Sequence, residues 1–231
     1  MNTKHKALAL LPMALFVGPI AVQAAELGFY VGGQYGQSSK DDNTRLDALT
    51  LEVYGELAYV PSQRSNSLET EDAIWGFFGG YRLLPNLAFE GGYLSLGKEV
   101  LRETSSGTFF PPNAASSPES WTTSLGVSAT GFAISALGVL PITYNWEVYA
   151  RGGVFFAQNT LSLFAVNQDG FGGANQVEKS STDFLAGVGA GYTLAEVYQL
   201  RVEYQRIFDA GTKDYGESDV DLATIGITVK F

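Results

Sequence analysis

The chain has 231 residues, 24 acidic against 14 basic, a formal charge of −10, no cysteine and a single histidine. These counts exclude disulfides, thiolate catalysis, cysteine-linked lipid anchors and ordinary zinc sites. The acidic balance excludes nucleic acid as a partner, because phosphate binding requires a basic footprint.

The N-terminus reads as an export signal. Lys4 and Lys6 form a positive start, Ala7 to Val17 an apolar stretch, and Val22-Gln23-Ala24 sets small residues before a cut between Ala24 and Ala25. An amphipathic helix does not fit, since no polar face exists between Ala7 and Val22. Removing residues 1–24 takes away Lys4, Lys6 and His5, leaving 12 of the 14 basic residues against 24 acids, a net of −12. The remainder, 25–231, has no histidine and so no Ser-His or Asp-His catalytic pair. It contains no run of eighteen apolar residues; the longest stretch, Ala129 to Ile142, is interrupted by Gly131, Ser135, Gly138 and Pro141. Its length suits one domain.

Eight segments alternate apolar and polar residues as strands do: 27–37, 73–84, 87–98, 122–140, 145–157, 182–194, 198–209 and 219–231. The first presents Leu27, Phe29, Val31 and Tyr35 on one face, the second Trp75, Phe77, Tyr81 and Leu83, the third Leu87, Phe89 and Tyr93. The fourth changes phase near Gly131, which predicts a bulge. Trp146, Val148, Ala150, Val154 and Phe156 continue the apolar face on the fifth. Phe184 to Leu194 does so on the sixth, and Tyr198, Leu200, Val202, Tyr204 and Phe208 on the seventh. The last carries Ala223, Ile225, Ile227, Val229 and Phe231.

Short separators alternate with long ones. Leu84-Pro85-Asn86, Pro141 to Tyr144 and Ala195-Glu196-Val197 are tight; 38–72, 99–121, 158–181 and 210–218 are long and polar. A chain threaded through one membrane has that asymmetry. The pattern predicts an all-β, antiparallel, up-and-down transmembrane barrel of eight strands, with short periplasmic turns and long extracellular loops. Ten strands remain open if a partner strand lies in 99–121. Leu49 to Val60 also alternates, and is expected to project above the membrane as a strand or short hairpin. Tyr81, Tyr144, Trp146, Tyr192, Tyr198 and Phe231 would form one interfacial girdle, and Trp75, Phe77, Trp121, Phe156 and Phe208 the other.

The opposite faces carry Arg82, Glu90, Glu147, Arg151, Arg201 and Glu203, three acids and three bases pointing inward. An eight-stranded barrel is just wide enough for side chains to fill, so buried charges there need partners. With three-residue turns, Glu90 falls opposite Gly80, Arg201 opposite Gly191 and Glu203 opposite Gly189, which leaves room for each long side chain to cross. A gate and a rigid polar filling are the two readings; matched charge in a narrow lumen favours the filling. The acids Asp41, Asp42, Glu69, Glu71, Asp72, Asp169, Asp214, Glu217 and Asp219 lie in the long separators. Divalent cations beside anionic head groups would suit them, but no calcium-loop spacing is present and solvated charge accounts for them. No metal or cofactor is expected.

Phe29-Tyr30-Val31-Gly32-Gly33, Leu200-Arg201-Val202-Glu203-Tyr204 and the ending Leu222 to Phe231 resemble the eight-stranded outer-membrane barrels related to the transmembrane domain of outer-membrane protein A and the opacity-type surface proteins. The resemblance implies location in the bacterial outer membrane, among its lipid and lipopolysaccharide. It implies insertion by the barrel-assembly machinery, with Phe231 as the recognised terminal aromatic, and an interior network to which Arg201 and Glu203 correspond. The sequence stops at the barrel, so a peptidoglycan tether is not expected. Three functions compete: a non-enzymatic envelope or surface-contact barrel, which leads and whose surface partner the sequence does not name; a small channel for ions or apolar solutes; and an outer-membrane enzyme, disfavoured because such chemistry generally needs a tuned base.

Overall fold

A computed structural model describes residues 27–40, 51, 53–55, 58–71, 73–110, 115–212 and 216–231. Residues 24 and 25 lie outside them, as do Asp41, Asp42, Asp72 and Asp214.

Among the described residues nine strand segments form: β1 (Gly28–Lys40), β2 (Tyr59–Glu71), β3 (Ala73–Leu84), β4 (Leu87–Phe109), β5 (Ser117–Pro141), β6 (Trp146–Asn167), β7 (Gly172–Leu194), β8 (Tyr198–Thr212) and β9 (Gly216–Lys230). All pairings are antiparallel. The ring closes through eight positions, β1–β3–β4–β5–β6–β7–β8–β9–β1. Strand β2 adds no ninth position. It pairs with β4 from Phe109 down to Lys98, and β3 takes over on the same side of β4 from Ser95. The two occupy successive levels of the same position in the wall, beside β4.

The apolar faces point outward into lipid. Phe29, Phe77, Phe89, Phe132, Phe184, Val188, Val202 and Ile225 are all exposed. A closed ladder satisfies every backbone group at membrane depth, which lipid cannot do. Two chains of rings mark the interfaces. Trp75, Phe77, Tyr93 and Phe132 adjoin one another with centroids 5.4–6.1 Å apart. At the short-turn end Trp146 meets Tyr192 at 4.9 Å and Phe29 meets Tyr81 at 4.6 Å. Trp121 is not a girdle residue; it is buried within the protruding wall.

The short turns follow local chemistry. Ala195 and Glu196 take left-handed φ of 48° and 66°, reversing the chain between Leu194 and Tyr198. Pro85 and Asn86 alone reverse it between Leu84 and Leu87, with a slip at Leu84, so this turn is one residue tighter than the sequence implied.

At the other end the expected long loops are mostly strand. β4, β5, β6 and β7 run for 23, 25, 22 and 23 residues, whereas about ten cross a membrane. The wall therefore continues far outside. Its polarity inverts there. On β5 the outward set changes from Phe132, Ile134 and Leu140 to Thr122, Ser124, Ser128 and Thr130, while Leu125 and Trp121 turn inward. The apparent phase change at Gly131 is this crossing from lipid to water. The β5–β6 ladder is unbroken from Trp121 to Pro141. The bulge lies on β4 instead, where Leu96 and Gly97 oppose one residue of β5 and Gly97 takes φ 80°. Residues 51 and 53–55 are helical rather than extended, and among the described residues of the Leu49–Val60 stretch only Tyr59 and Val60 join a strand.

Candidate functional site: the sealed lumen

The inward positions form three storeys. Nearest the short turns, Arg82 donates to Glu147 at 2.8 Å, and Gln199 donates to the other Glu147 oxygen at 2.9 Å. Above them four charges interlock. Glu90 accepts from Arg151 Nη2 at 2.5 Å and from Arg201 Nη1 at 2.6 Å. Glu203 is ion-paired with Arg151 Nε at 2.6 Å and Arg201 Nη2 at 3.6 Å. All four are nine-tenths buried or more. Strands β4, β6 and β8 supply them, so the network ties three parts of the ring across the lumen. Two positive and two negative charges balance, which is what a dry interior requires.

Two tyrosines complete the cluster. Tyr30 donates to Glu90 at 2.8 Å, and Tyr149 donates to Glu203 at 3.0 Å while accepting from Arg201 Nε at 3.0 Å. The Arg201 guanidinium also lies over the Phe78 and Tyr149 rings, 4.9 and 4.6 Å from their centroids. Sequence reading missed Tyr30 and Tyr149 as members, although their alternation with lipid-facing residues places them inward. It also misread the glycines. Glu90 does face Gly80, Arg201 Gly191 and Glu203 Gly189. Yet a Cβ at Gly80 would stand 2.4 Å from the Tyr30 ring, one at Gly189 2.4 Å from the Tyr149 ring, and one at Gly191 2.7 Å from Gln199. The space houses those polar supports, not the crossing charges.

The second storey is apolar. Ile74, Leu94, Leu96, Phe155, Leu185, Ile207, Val220 and Leu222 pack together at 0–4 % exposure. Asp183 and Gln205 are buried beside Phe155 and Leu222; Ser181 donates to Asp183 at 2.9 Å. This layer was not visible as a layer in the sequence. Below it, toward the short-turn mouth, the space beside Glu90 and Arg201 is only about 30 Å³, little more than room for a water molecule.

The third storey lies in the protruding wall. Tyr54 is buried there and accepts from Ser105 at 3.0 Å and Thr123 at 3.3 Å. Its ring meets Tyr59, which meets Trp121. Burial pushes the Tyr54 hydroxyl above the ordinary phenol range, with Glu103 adding to the rise and the two hydroxyl hydrogen bonds opposing it. Glu103, buried, pairs with Arg64. Phe231, by contrast, is 79 % exposed and tied by its backbone N–H to the Phe29 carbonyl at 2.9 Å.

A family model of the OmpA-like transmembrane domain matches residues 24–231, nearly the whole chain. The chain belongs to that family. It is similar to outer membrane protein P5 of Haemophilus influenzae, 26 % identical over 213 residues, which are 90 % of this chain and 52 % of that protein. The chain thus spans about half the length of the curated relative it matches. Among solved structures it is similar to Ail of Yersinia pestis, with TM-score 0.45, 10 % identity and coverage of 88 % of this chain and 99 % of that one. Neisserial surface protein A gives TM-score 0.42, 10 % identity and coverage of 88 % and 97 %. The protein is a β-barrel of the bacterial outer membrane, its short turns on the periplasmic side and its protruding wall outside.

Proposed function

We propose that this is a closed, non-enzymatic barrel that reinforces the outer membrane and presents its protruding wall for surface contacts. The apolar storey around Phe155, Ile207 and Leu222 carries this reading. Ions would have to shed most of their water to pass it, which is costly. The charge tetrad beneath acts as a brace between β4, β6 and β8. Residues 25–231 contain no histidine or cysteine, which supports the non-enzymatic part.

Export would remove residues 1–24 by cleavage between Ala24 and Ala25. The barrel-assembly machinery would seat β9 through exposed Phe231. Lipid and lipopolysaccharide would surround the outward face. Planar-bilayer recording tests the reading: a silent membrane is expected, and steady large conductance refutes it. Turnover of lipid or peptide by purified protein would refute the non-enzymatic part.

A further inference from the structure

The protruding wall carries a depression of about 270 Å³ in its outer face, lined by Lys98, Ser124, Gly126, Ser162, Phe164 and Gln176. Its height follows from the strands. Phe132 on β5 pairs with Phe156 on β6 at the lipid boundary, and Gly126 pairs with Ser162 six residues farther out on each. That is roughly 20 Å along the strand, beyond the hydrocarbon and opening sideways. The β4 bulge supplies its cation. Ala88, Glu90, Leu94 and Leu96 face inward, and the extra residue at Gly97 reverses the parity, so Lys98 is exposed outside. Lys98 then lies across Gly126: a Cβ there would stand 3.3 Å from Lys98 Cε. Among the described residues no carboxylate or hydrogen-bond acceptor holds its ammonium.

We propose that this depression binds a singly acidic sugar, its ring on Phe164, its carboxylate or phosphate on Lys98, and its hydroxyls on Ser124, Ser162 and Gln176. Each part of the site demands one part of that ligand. Phe164 is 47 % exposed and offers an apolar face beside polar partners. The Ser124 and Ser162 hydroxyls have no partner among the described residues. Gln176 donates its amide N–H to Glu178 at 3.2 Å, which leaves its amide oxygen to accept. A bare anion would leave Phe164 wet, and an apolar ligand would leave Lys98 unpaired. Glu178 at the far rim repels a second acid on the same ring, which selects one charge rather than a densely charged polymer. The ring belongs either to a glycolipid of the same leaflet or to a free polysaccharide, since both present this chemistry.

This inference rests on the surface-contact reading, yet fails separately: a conducting lumen would sink the closed barrel and leave the depression as it is. The probes are methyl glucuronide, methyl glucoside and acetate, titrated into the full chain in phospholipid nanodiscs while the amide resonances of Gly126 and Ser162 are followed. The glucuronide is expected to bind about tenfold tighter than either control. Lys98→Gln should bring the glucuronide down to the glucoside and leave the glucoside unchanged. Gly126→Val, which crowds Lys98 off its seat, should do the same. Phe164→Ser should weaken both sugars together by about tenfold. All three variants should keep the mobility difference on boiling. Lipopolysaccharide in the disc separates the sources: it shifts the same amides and excludes the glucuronide if the ring is a glycolipid's, and does neither if the ring is a free polysaccharide's. Acetate binding as tightly as the glucuronide, equal loss of both sugars in Lys98→Gln, or shifts that spare Gly126 and Ser162 overturns the proposal.

Discussion

Glu90→Gln removes one of the two negative charges in the tetrad while nearly preserving shape. In the folded barrel Glu90 is 3 % exposed and holds Arg151 at 2.5 Å and Arg201 at 2.6 Å. After the change both guanidiniums remain buried with Glu203 as their shared counter-charge. Breaking a buried pair by removing one partner costs about 3–5 kcal/mol. The remaining Glu203 contacts at 2.6 and 3.6 Å, and a Tyr30 hydroxyl still able to donate to the amide oxygen, place the loss near the lower end, about 3 kcal/mol. Adding Arg151→Met restores neutrality around the Arg201–Glu203 pair, so the double variant should be about 2 kcal/mol more stable than the sum of the singles implies. Urea unfolding of the barrel in lipid vesicles, followed by tryptophan fluorescence and by the mobility difference on boiling, measures both. A Glu90→Gln loss under about 1 kcal/mol, or strict additivity in the cycle, would show that water reaches the tetrad and that the brace is not dry.

Four further outcomes follow from the geometry. Gly80→Ala drives a methyl into the Tyr30 ring and should destabilise the barrel by about 1–3 kcal/mol, seen as a lower urea midpoint. Phe155→Ala removes a fully buried ring of the apolar storey; about 3–5 kcal/mol should be lost, and brief openings should appear in bilayer recordings, whereas a silent trace would place the seal at the tetrad. Phe231→Ser should leave the stability of refolded barrel within about 0.5 kcal/mol, because the ring is exposed, while the amount assembled in cells falls. Tyr54 is held neutral by burial, so its contribution is intact below the ordinary phenol range and is lost as pH rises past about 10; proteolysis near 53–60 should quicken there, and Tyr54→Phe should lack that pH dependence.

Strand faces were legible wherever one side met lipid. Phe29, Phe77, Phe184 and Val202 lie outside as their alternation implied, because hydrocarbon imposes an unbroken apolar row. Outside the membrane the same period survives with weaker contrast: Ser124, Ser128, Thr160 and Ser162 face water, and small hydroxyl residues read as loop. That is why β4 to β7 run far beyond their anticipated ends. The inward charges were readable by parity, but their partnerships were not. Which acid meets which base depends on rotamers reaching across the lumen, and Arg151 on β6 meets Glu90 on β4, a strand separated from it in the ring by β5.

Alternation, turn residues and terminal chemistry by themselves determined that this chain is an antiparallel outer-membrane barrel, since lipid tolerates no unpaired backbone and therefore writes its demand residue by residue. Only the tertiary structure decided that tyrosine rings occupy the glycine clefts, that an apolar layer seals the lumen, and that a bulge turns Lys98 outward across Gly126. These depend on distances across the ring and on one extra residue in a ladder, neither of which a periodicity encodes.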